Sequence, residues 1–280
     1  GHPALFTAID QEGGRVARLT EDRGFTEFPG AMALGAAGDP ELARQAAKAL
    51  AAEMKAVGLN IDFAPVLDVN NNPANPVIGV RSFGSDPAKV ARFGVAFFQG
   101  LQSDGVLAFG KHFPGHGDTG VDSHVNLPLV AHDRARLDAV EFVPFKAAIQ
   151  AGIAGIMSAH VSFPAIEPQP GLAATLSAKV MTGLLRGELK FDGLLVTDSL
   201  EMGALAQTGY PPPLAGAAAL QAGSDLVLFN RDHAMHKQAV AQITAWVKDG
   251  KIPLSRLDEA VKLAEQVQRE LPTHDGIIRA

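Results

Sequence analysis

Cysteine is absent from this chain of 280 residues. The absence excludes disulfide bonds and every metal site built on thiolate ligands, and it is compatible with a reducing compartment. A chain of this length buries a sizeable core without covalent links. It suits one large domain or two small ones.

Runs of basic residues are also missing, and the formal net charge is −6 at pH 7. This balance argues against nucleic acid or an anionic membrane as the main partner and favours a small ligand. No apolar stretch reaches the roughly 20 residues that a membrane-spanning helix needs. No signal-peptide pattern is visible. The chain opens on Gly1-His2-Pro3 and runs directly into a predicted strand.

Short apolar runs alternate with longer amphipathic segments along the chain. The apolar runs predict strands buried on both faces; they cover residues 4–10, 60–69, 106–113, 153–161, 193–199 and 225–230. Helices are predicted at residues 39–58, 86–105, 136–152, 177–189, 212–223, 233–250 and 255–271. This alternation indicates a parallel sheet covered by helices, and no linker divides it. Residues 1–280 are therefore predicted to form a single domain.

The choice between a doubly wound sheet and a (β/α)8 barrel depends on polar residues at the predicted strand ends. These are Asp10, Asp68, Lys111-His112, His160, Asp198 and Asn230-Arg231. A barrel collects all strand C-termini on one rim, whereas a doubly wound sheet builds its site only near the switch point. The pattern favours the barrel, although six strands are recognised where a closed barrel has about eight.

The densest group of polar residues is KHFPGHGDTGVDSH, residues 111–124. His112 and His116 have the i, i+4 spacing of a helical metal motif, but Pro114 and Gly115 between them exclude a helix. One hypothesis is therefore a metal site built on the loop. Its ligands would be His112, His116 and His124, with Asp118 or Asp122 added. A second is a solvated connection. A third is proton transfer by Asp122-Ser123-His124, in which the carboxylate orients the imidazole and stabilises its charged form.

A second carboxylate, Asp198, ends the apolar run GLLVTDS. It either caps the next helix or serves as a nucleophile. A nucleophile and an acid/base facing one bond are the pair that retaining glycoside hydrolysis requires. The segments IDQEGGRVARL and GVRSFGSDP add Asp10, Arg18 and Arg81, which either bind sugar hydroxyls and carboxylates or form surface ion pairs.

Four motifs occur in order: DQEGGRV, RSFG, KHFPGHGDT followed by DSH, and VTDSLEMGA. Together they resemble the bacterial β-N-acetylglucosaminidases of glycoside hydrolase family 3. The resemblance covers most of the chain, from about residue 7 to at least residue 230. The KHFPGHGD stretch followed by DSH is specific to this branch, since the β-glucosidases of the family lack the loop histidine.

The resemblance implies a (β/α) barrel enzyme, a retaining exo-β-N-acetylglucosaminidase. Asp198 would be the nucleophile, His124 the acid/base and Asp122 its partner. The residues implied to bind the non-reducing N-acetylglucosamine are Asp10, Arg18, Arg81, Lys111 and His112. The implied substrates are N-acetylglucosaminyl-anhydro-muramic acid and its peptide derivatives, which arise in bacterial wall turnover and are cleaved in the cytoplasm. No metal and no cofactor is expected.

Family members usually carry about one more βα unit before the IDQEGGR segment, whereas nine residues precede Asp10 here. The resemblance therefore predicts a barrel that is incomplete at its N-terminal edge. Three other functions stay open. They are a β-N-acetylglucosaminide phosphorylase, a metal-dependent hydrolase using His112, His116 and His124, and a sugar-binding protein without turnover.

Overall fold

Five parallel strands form the sheet of the computed structural model, which describes residues 5–230 and 233–271. They are β1 (Ala8–Ile9), β2 (Ile61–Asp62), β3 (Leu107–Phe113), β4 (Gly155–Ser158) and β5 (Leu194–Thr197). The strands pair in chain order, with Ala8 opposite Ile61 and Gly155 opposite Leu194. In the described part of the chain the sheet stays open between β1 and β5. It is a half-barrel, which confirms the predicted architecture in its incomplete form.

The sixth predicted strand, residues 225–230, runs beside β5 but forms only one bridge to it, between Val196 and Leu226. Beyond that bridge, the Leu228 N–H donates to the side-chain oxygen Thr197 Oγ1 at 3.0 Å and not to a backbone carbonyl of β5. The ladder of backbone hydrogen bonds between the two segments therefore ends there. The strand prediction was therefore wrong in extent, although its last residue, Asn230, still reaches the rim. Arg231 lies outside the described residues.

Helices pack around the sheet, and the last of them along the chain differs from the others in covering part of its inner face. They are α1 (Ala31–Ala37), α2 (Pro40–Ala56), α3 (Pro87–Ser103), α4 (Arg134–Ala139), α5 (Phe142–Gln150), a π-helix π1 (Lys179–Glu188), α6 (Gly203–Ala206), α7 (Pro212–Ala222), α8 (His233–Lys248) and α9 (Leu254–Glu270). The predicted helix 136–152 is two helices, since Val140 leaves the helical region with φ −130°. Pro144 then lies in the first turn of α5, where its missing N–H is not needed.

Apolar side chains of alternate strand positions fill the inner face of the half-barrel. This inner cluster contains Ile61, Phe63, Phe109, Met157, Leu194 and Val196. Leu263 and Val267 of α9 pack against it, so a helix covers part of the barrel interior. The polar strand ends therefore lie above an apolar floor. None of the helices in the described residues combines the length and apolarity that crossing a bilayer requires.

Candidate active site

The C-terminal ends of the strands surround a cavity of about 330 Å³. All the residues predicted for catalysis or binding line this cavity, except Asp122. They are Asp10, Arg18, Arg81, Lys111, His112, His124 and Asp198. Met157 of the inner cluster lies at its floor, and Asn230 lines its wall. The fold thus brings residues from six separate segments of the chain to one place.

Two carboxylates and two cations form a network on the β1 side of the cavity. Lys111 places its Nζ 2.7 Å from Asp10 Oδ1 and 2.6 Å from Glu12 Oε1. Arg81 donates to both carboxylate oxygens of Glu12, at 2.7 and 2.9 Å. Glu12 was not assigned a role from the sequence. The available signal was its position two residues after Asp10, because alternate residues of an extended segment face the same side.

Electrostatics keep this network charged. Burial acts to raise the pKa of Glu12, but the charge of Lys111 and the hydrogen bonds from Arg81 outweigh it and hold that pKa at about 2. Burial acts to lower the pKa of Lys111, yet Glu12 and Asp10 raise it above its ordinary value. Lys111 is therefore a fixed cation held between two carboxylates at the cavity wall.

We expect Glu12 to carry part of the acid sensitivity of the fold. Its folded pKa of about 2 lies below the ordinary 4.5, so between these values the unfolded chain binds more protons. The stability that Glu12 contributes is then complete above pH 4.5 and is lost as the pH falls towards 2. Glu12→Gln should cost about 3–5 kcal/mol at neutral pH, because it leaves Lys111 and Arg81 short of a partner.

Urea unfolding from neutral pH down to about pH 2 checks this expectation. Wild-type protein should lose more stability on acidification than Glu12→Gln does. The same acid dependence in both proteins would contradict the assignment.

Asp68 organises the loop of residues 111–124 from beneath. Its carboxylate accepts the His112 N–H at 3.2 Å, His112 Nδ1 at 2.7 Å and the His116 N–H at 2.6 Å. Burial acts to raise the pKa of Asp68, but the charges and hydrogen bonds of the two histidines lower it below its ordinary value. The carboxylate is therefore an acceptor, which assigns a proton to His112 Nδ1. His112 Nε2 lies on the other side of the ring, 3.5 Å from Arg81 Nη2.

Asp198 follows β5 and is half-buried in the cavity wall. Its Oδ1 accepts the N–H of Ser199 at 2.7 Å. Burial acts to raise the pKa of Asp198, but His112, His160 and the Ser199 N–H hold it below its ordinary value. The carboxylate is thus ionised at neutral pH, as a nucleophile must be. His160, whose Nε2 lies 3.0 Å from the Ser199 carbonyl oxygen, fixes the adjoining backbone.

Asp122 and His124 form a hydrogen-bonded pair at the outer rim. Asp122 Oδ1 accepts both the backbone N–H and Nδ1 of His124, each at 2.8 Å. The pairing assigns the ring proton to Nδ1 and leaves Nε2 for the cavity. Burial acts to raise the pKa of Asp122, but these two bonds lower it. The His124 side chain is 58% exposed, so the ring is open to solvent.

The histidines of the metal hypothesis have other partners. Nδ1 of His116 lies 2.7 Å from Thr119 Oγ1, its Nε2 lies 2.9 Å from Ser123 Oγ, and burial lowers its pKa to about 4. Among residues 5–230 and 233–271, the side chains at metal-ligand separations are Asp118, His132 and Glu141, which share only Asp118 with that hypothesis. The described residues therefore do not assemble the cage of His112, His116 and His124.

Known proteins show which family shares this arrangement. The model of the glycosyl hydrolase family 3 N terminal domain matches residues 2–267. The chain belongs to glycosyl hydrolase family 3. This confirms the family that the four motifs indicated.

Individual proteins that are similar to this chain match nearly all of its length. Beta-hexosaminidase A of Pseudoalteromonas piscicida is 38% identical, over 96% of this chain and 48% of that protein. A family 3 β-N-acetylglucosaminidase from Paenibacillus sp. str. FPU-7 has a TM-score of 0.92 and 48% identity, over 98% of this chain and 53% of that one. The β-glucoside phosphorylase BglX has a TM-score of 0.88 and 28% identity, over 98% and 50%. This family 3 chain thus spans about half the length of these three proteins.

Proposed function

We propose that this chain is a retaining exo-β-N-acetylglucosaminidase that removes terminal N-acetylglucosamine from fragments of bacterial peptidoglycan. Asp198 attacks the anomeric carbon and forms a covalent glycosyl-enzyme, while His124, oriented by Asp122, protonates the departing oxygen. The same imidazole then takes a proton from the water that releases the sugar. The observation that carries the proposal is that an ionised Asp198 and the imidazole of His124 line one cavity.

The charged network supports recognition of the terminal sugar. Asp10 and Lys111 line the cavity as a hydrogen-bonded pair, and such pairs bind neighbouring hydroxyl groups. Arg18, Arg81 and His112 add donors and acceptors around them. The cavity volume of about 330 Å³ lies at the lower end of the range for ligand sites, roughly 300–1,000 Å³. It therefore suits a single residue at the end of a chain, which supports exo action.

A groove beside the cavity supports the proposal that the aglycone, the part of the substrate beyond the cleaved bond, carries negative charge. This groove of about 400 Å³ shares Arg81 with the cavity and is also lined by Arg15 and by Met32, Ala33 and Val80. An exposed guanidinium beside an apolar wall suits the carboxylate and alkyl groups of a muramic acid peptide. We infer N-acetylglucosaminyl-anhydro-muramic acid and its peptide derivatives as substrates, cleaved in the cytoplasm by residues 1–280 acting as one catalytic domain. The compartment is supported by the motif resemblance.

A phosphorylase is the second candidate. A histidine acid/base repels an incoming phosphate less than a carboxylate would, and the chain is similar to the β-glucoside phosphorylase BglX. Rates measured with and without inorganic phosphate, with the product identified as free sugar or sugar phosphate, distinguish the two reactions.

Trapping of the intermediate tests the proposal directly. A slow fluorinated N-acetylglucosaminide forms the glycosyl-enzyme faster than water removes it, so the label accumulates on the nucleophile. We expect peptide mapping to find one sugar on Asp198, and Asp198→Asn to take up none. A label on another residue, or no label in a protein that still turns over substrate, would overturn the assignment.

A further inference from the structure

Three successive carbonyl oxygens of the catalytic loop are held by one short helical segment. The N–H groups of Gly203 and Ala204 donate to the carbonyl oxygens of His124 and Ser123, at 3.1 and 3.2 Å. Gln207 Nε2 donates to the carbonyl oxygen of Val125 at 2.6 Å. We call this set of three hydrogen bonds the latch. It attaches the loop segment that carries the acid/base to α6.

The closest approach in the latch is at Gly203. A Cβ atom at this position would lie 2.7 Å from the His124 carbonyl oxygen and 2.9 Å from that of Val125. Both atoms are backbone, so no side-chain rotation relieves the overlap. Gly203 is not among the glycines with positive φ, so its backbone conformation is open to other residues. Glycine is therefore needed at position 203 because it has no Cβ, and not because of its backbone flexibility.

The two sides of the latch differ in how firmly they are fixed. The segment from Asp198 to Gly203 is tied to the barrel, since the Leu200 N–H donates to Leu228 O at 3.0 Å and His160 holds the Ser199 carbonyl. Val125, on the loop side, is 57% exposed. A side chain added at residue 203 would therefore displace the loop and leave α6 in place.

The latch joins the two groups that the proposed mechanism requires. Gly203 follows the proposed nucleophile Asp198 by five residues in the same segment, and its N–H donates to the carbonyl oxygen of His124, the proposed acid/base. We propose that Gly203 is a positioning residue, whose lack of a side chain sets how closely the His124 imidazole approaches the bond that Asp198 attacks. This inference rests on the proposed glycosidase function.

Gly203→Ala is the informative variant, because alanine favours a helix over glycine by about 0.5–1 kcal/mol. Loss of activity by failure to fold is thus not expected. Gly183→Ala is the matched control: it makes the same change in π1, where the nearest atom would be 3.7 Å from the new Cβ. Gln207→Ala removes the third bond of the latch from an exposed position and is a milder second test.

We expect Gly203→Ala to lower kcat/KM for N,N′-diacetylchitobiose by about 10–100-fold, within the range that general acid catalysis contributes. For a 2,4-dinitrophenyl N-acetylglucosaminide kcat/KM should stay within about threefold, because that leaving group needs no proton. Gln207→Ala should shift in the same direction by less, and Gly183→Ala should match the wild type. Equal losses on both substrates, or no loss on either, would overturn the positioning role.

Hydrogen exchange tests the latch without relying on turnover. The amides of Gly203 and Ala204 should be protected in the wild type and exchange faster in Gly203→Ala. Fast exchange of both amides in the wild type would show that the hydrogen bonds of the latch do not persist in solution. Absence of turnover by the wild type on every N-acetylglucosaminide, with these amides protected, would instead count against the proposed function and leave the latch standing as a structural contact.

Discussion

Replacing Asp198 by asparagine is expected to lower kcat/KM by at least about 10⁴-fold, for disaccharides and activated aryl glycosides alike. The amide oxygen can still accept the Ser199 N–H, which Asp198 Oδ1 accepts at 2.7 Å, so the local backbone keeps its hydrogen bond. What is lost is the negative charge that attacks the anomeric carbon. Because that attack is needed whichever group departs, a better leaving group does not restore activity.

Initial rates with N,N′-diacetylchitobiose and a 2,4-dinitrophenyl N-acetylglucosaminide measure this effect. Asp192→Asn is the matched control, since Asp192 is exposed just before β5 and the change removes the same charge. Asp198→Ala guards against activity regained by deamidation. A folded Asp198→Asn protein that kept more than about a tenth of the wild-type rate would show that Asp198 is not the nucleophile.

The strand-end residues show which part of the site was predictable from sequence. Parallel strands covered by helices place their C-termini on one edge, so the position of Asp10, Lys111 and Asp198 around one cavity follows from the alternation of elements. Which of these side chains pair with each other inside the cavity does not follow from the alternation of elements. Asp10 and Lys111 are 101 positions apart, and only the register of the folded sheet determines that Lys111 also reaches Glu12.

Local contacts were predictable for a different reason. Asp122 and His124 are two residues apart, and the hydrogen bond between them forms within one turn of the loop. One failed prediction depended on a contact with a distant group. The segment 225–230 forms only one bridge to β5, because the Thr197 side chain replaces the next ladder bond. Pattern and propensity describe a segment by itself, so they do not detect such competition.

The charged network around Glu12 and the loop of residues 111–124 are proposed to have different functions in this site. Lys111 and Arg81 both pair with Glu12, and Asp68 holds the beginning of the 111–124 loop, so the proposed sugar-binding side of the cavity is rigid. The proposed acid/base, His124, lies at the other end of the loop and is largely exposed. A substitution there should therefore change catalysis more than it changes binding of the terminal sugar.

Replacing His124 by alanine is expected to show this separation. For N,N′-diacetylchitobiose, kcat/KM should fall by about 10²–10⁴-fold, the usual contribution of general acid catalysis. For a 2,4-dinitrophenyl N-acetylglucosaminide, kcat/KM should change little, since this parameter reports formation of the glycosyl-enzyme and the departing phenolate needs no proton. Its kcat should fall, because the missing imidazole also activates the water that releases the sugar.

Added azide provides the decisive control for His124→Ala. Azide attacks the glycosyl-enzyme without losing a proton, so it should restore kcat for the dinitrophenyl glycoside and yield a β-glycosyl azide, while the wild type gains nothing. Asp122→Asn should show the same pattern with smaller losses, because the ring is still present but its Nδ1 hydrogen bond, at 2.8 Å in the wild type, no longer ends on a charge. Equal loss of kcat/KM on both substrates, with no response to azide, would assign the acid/base to another group.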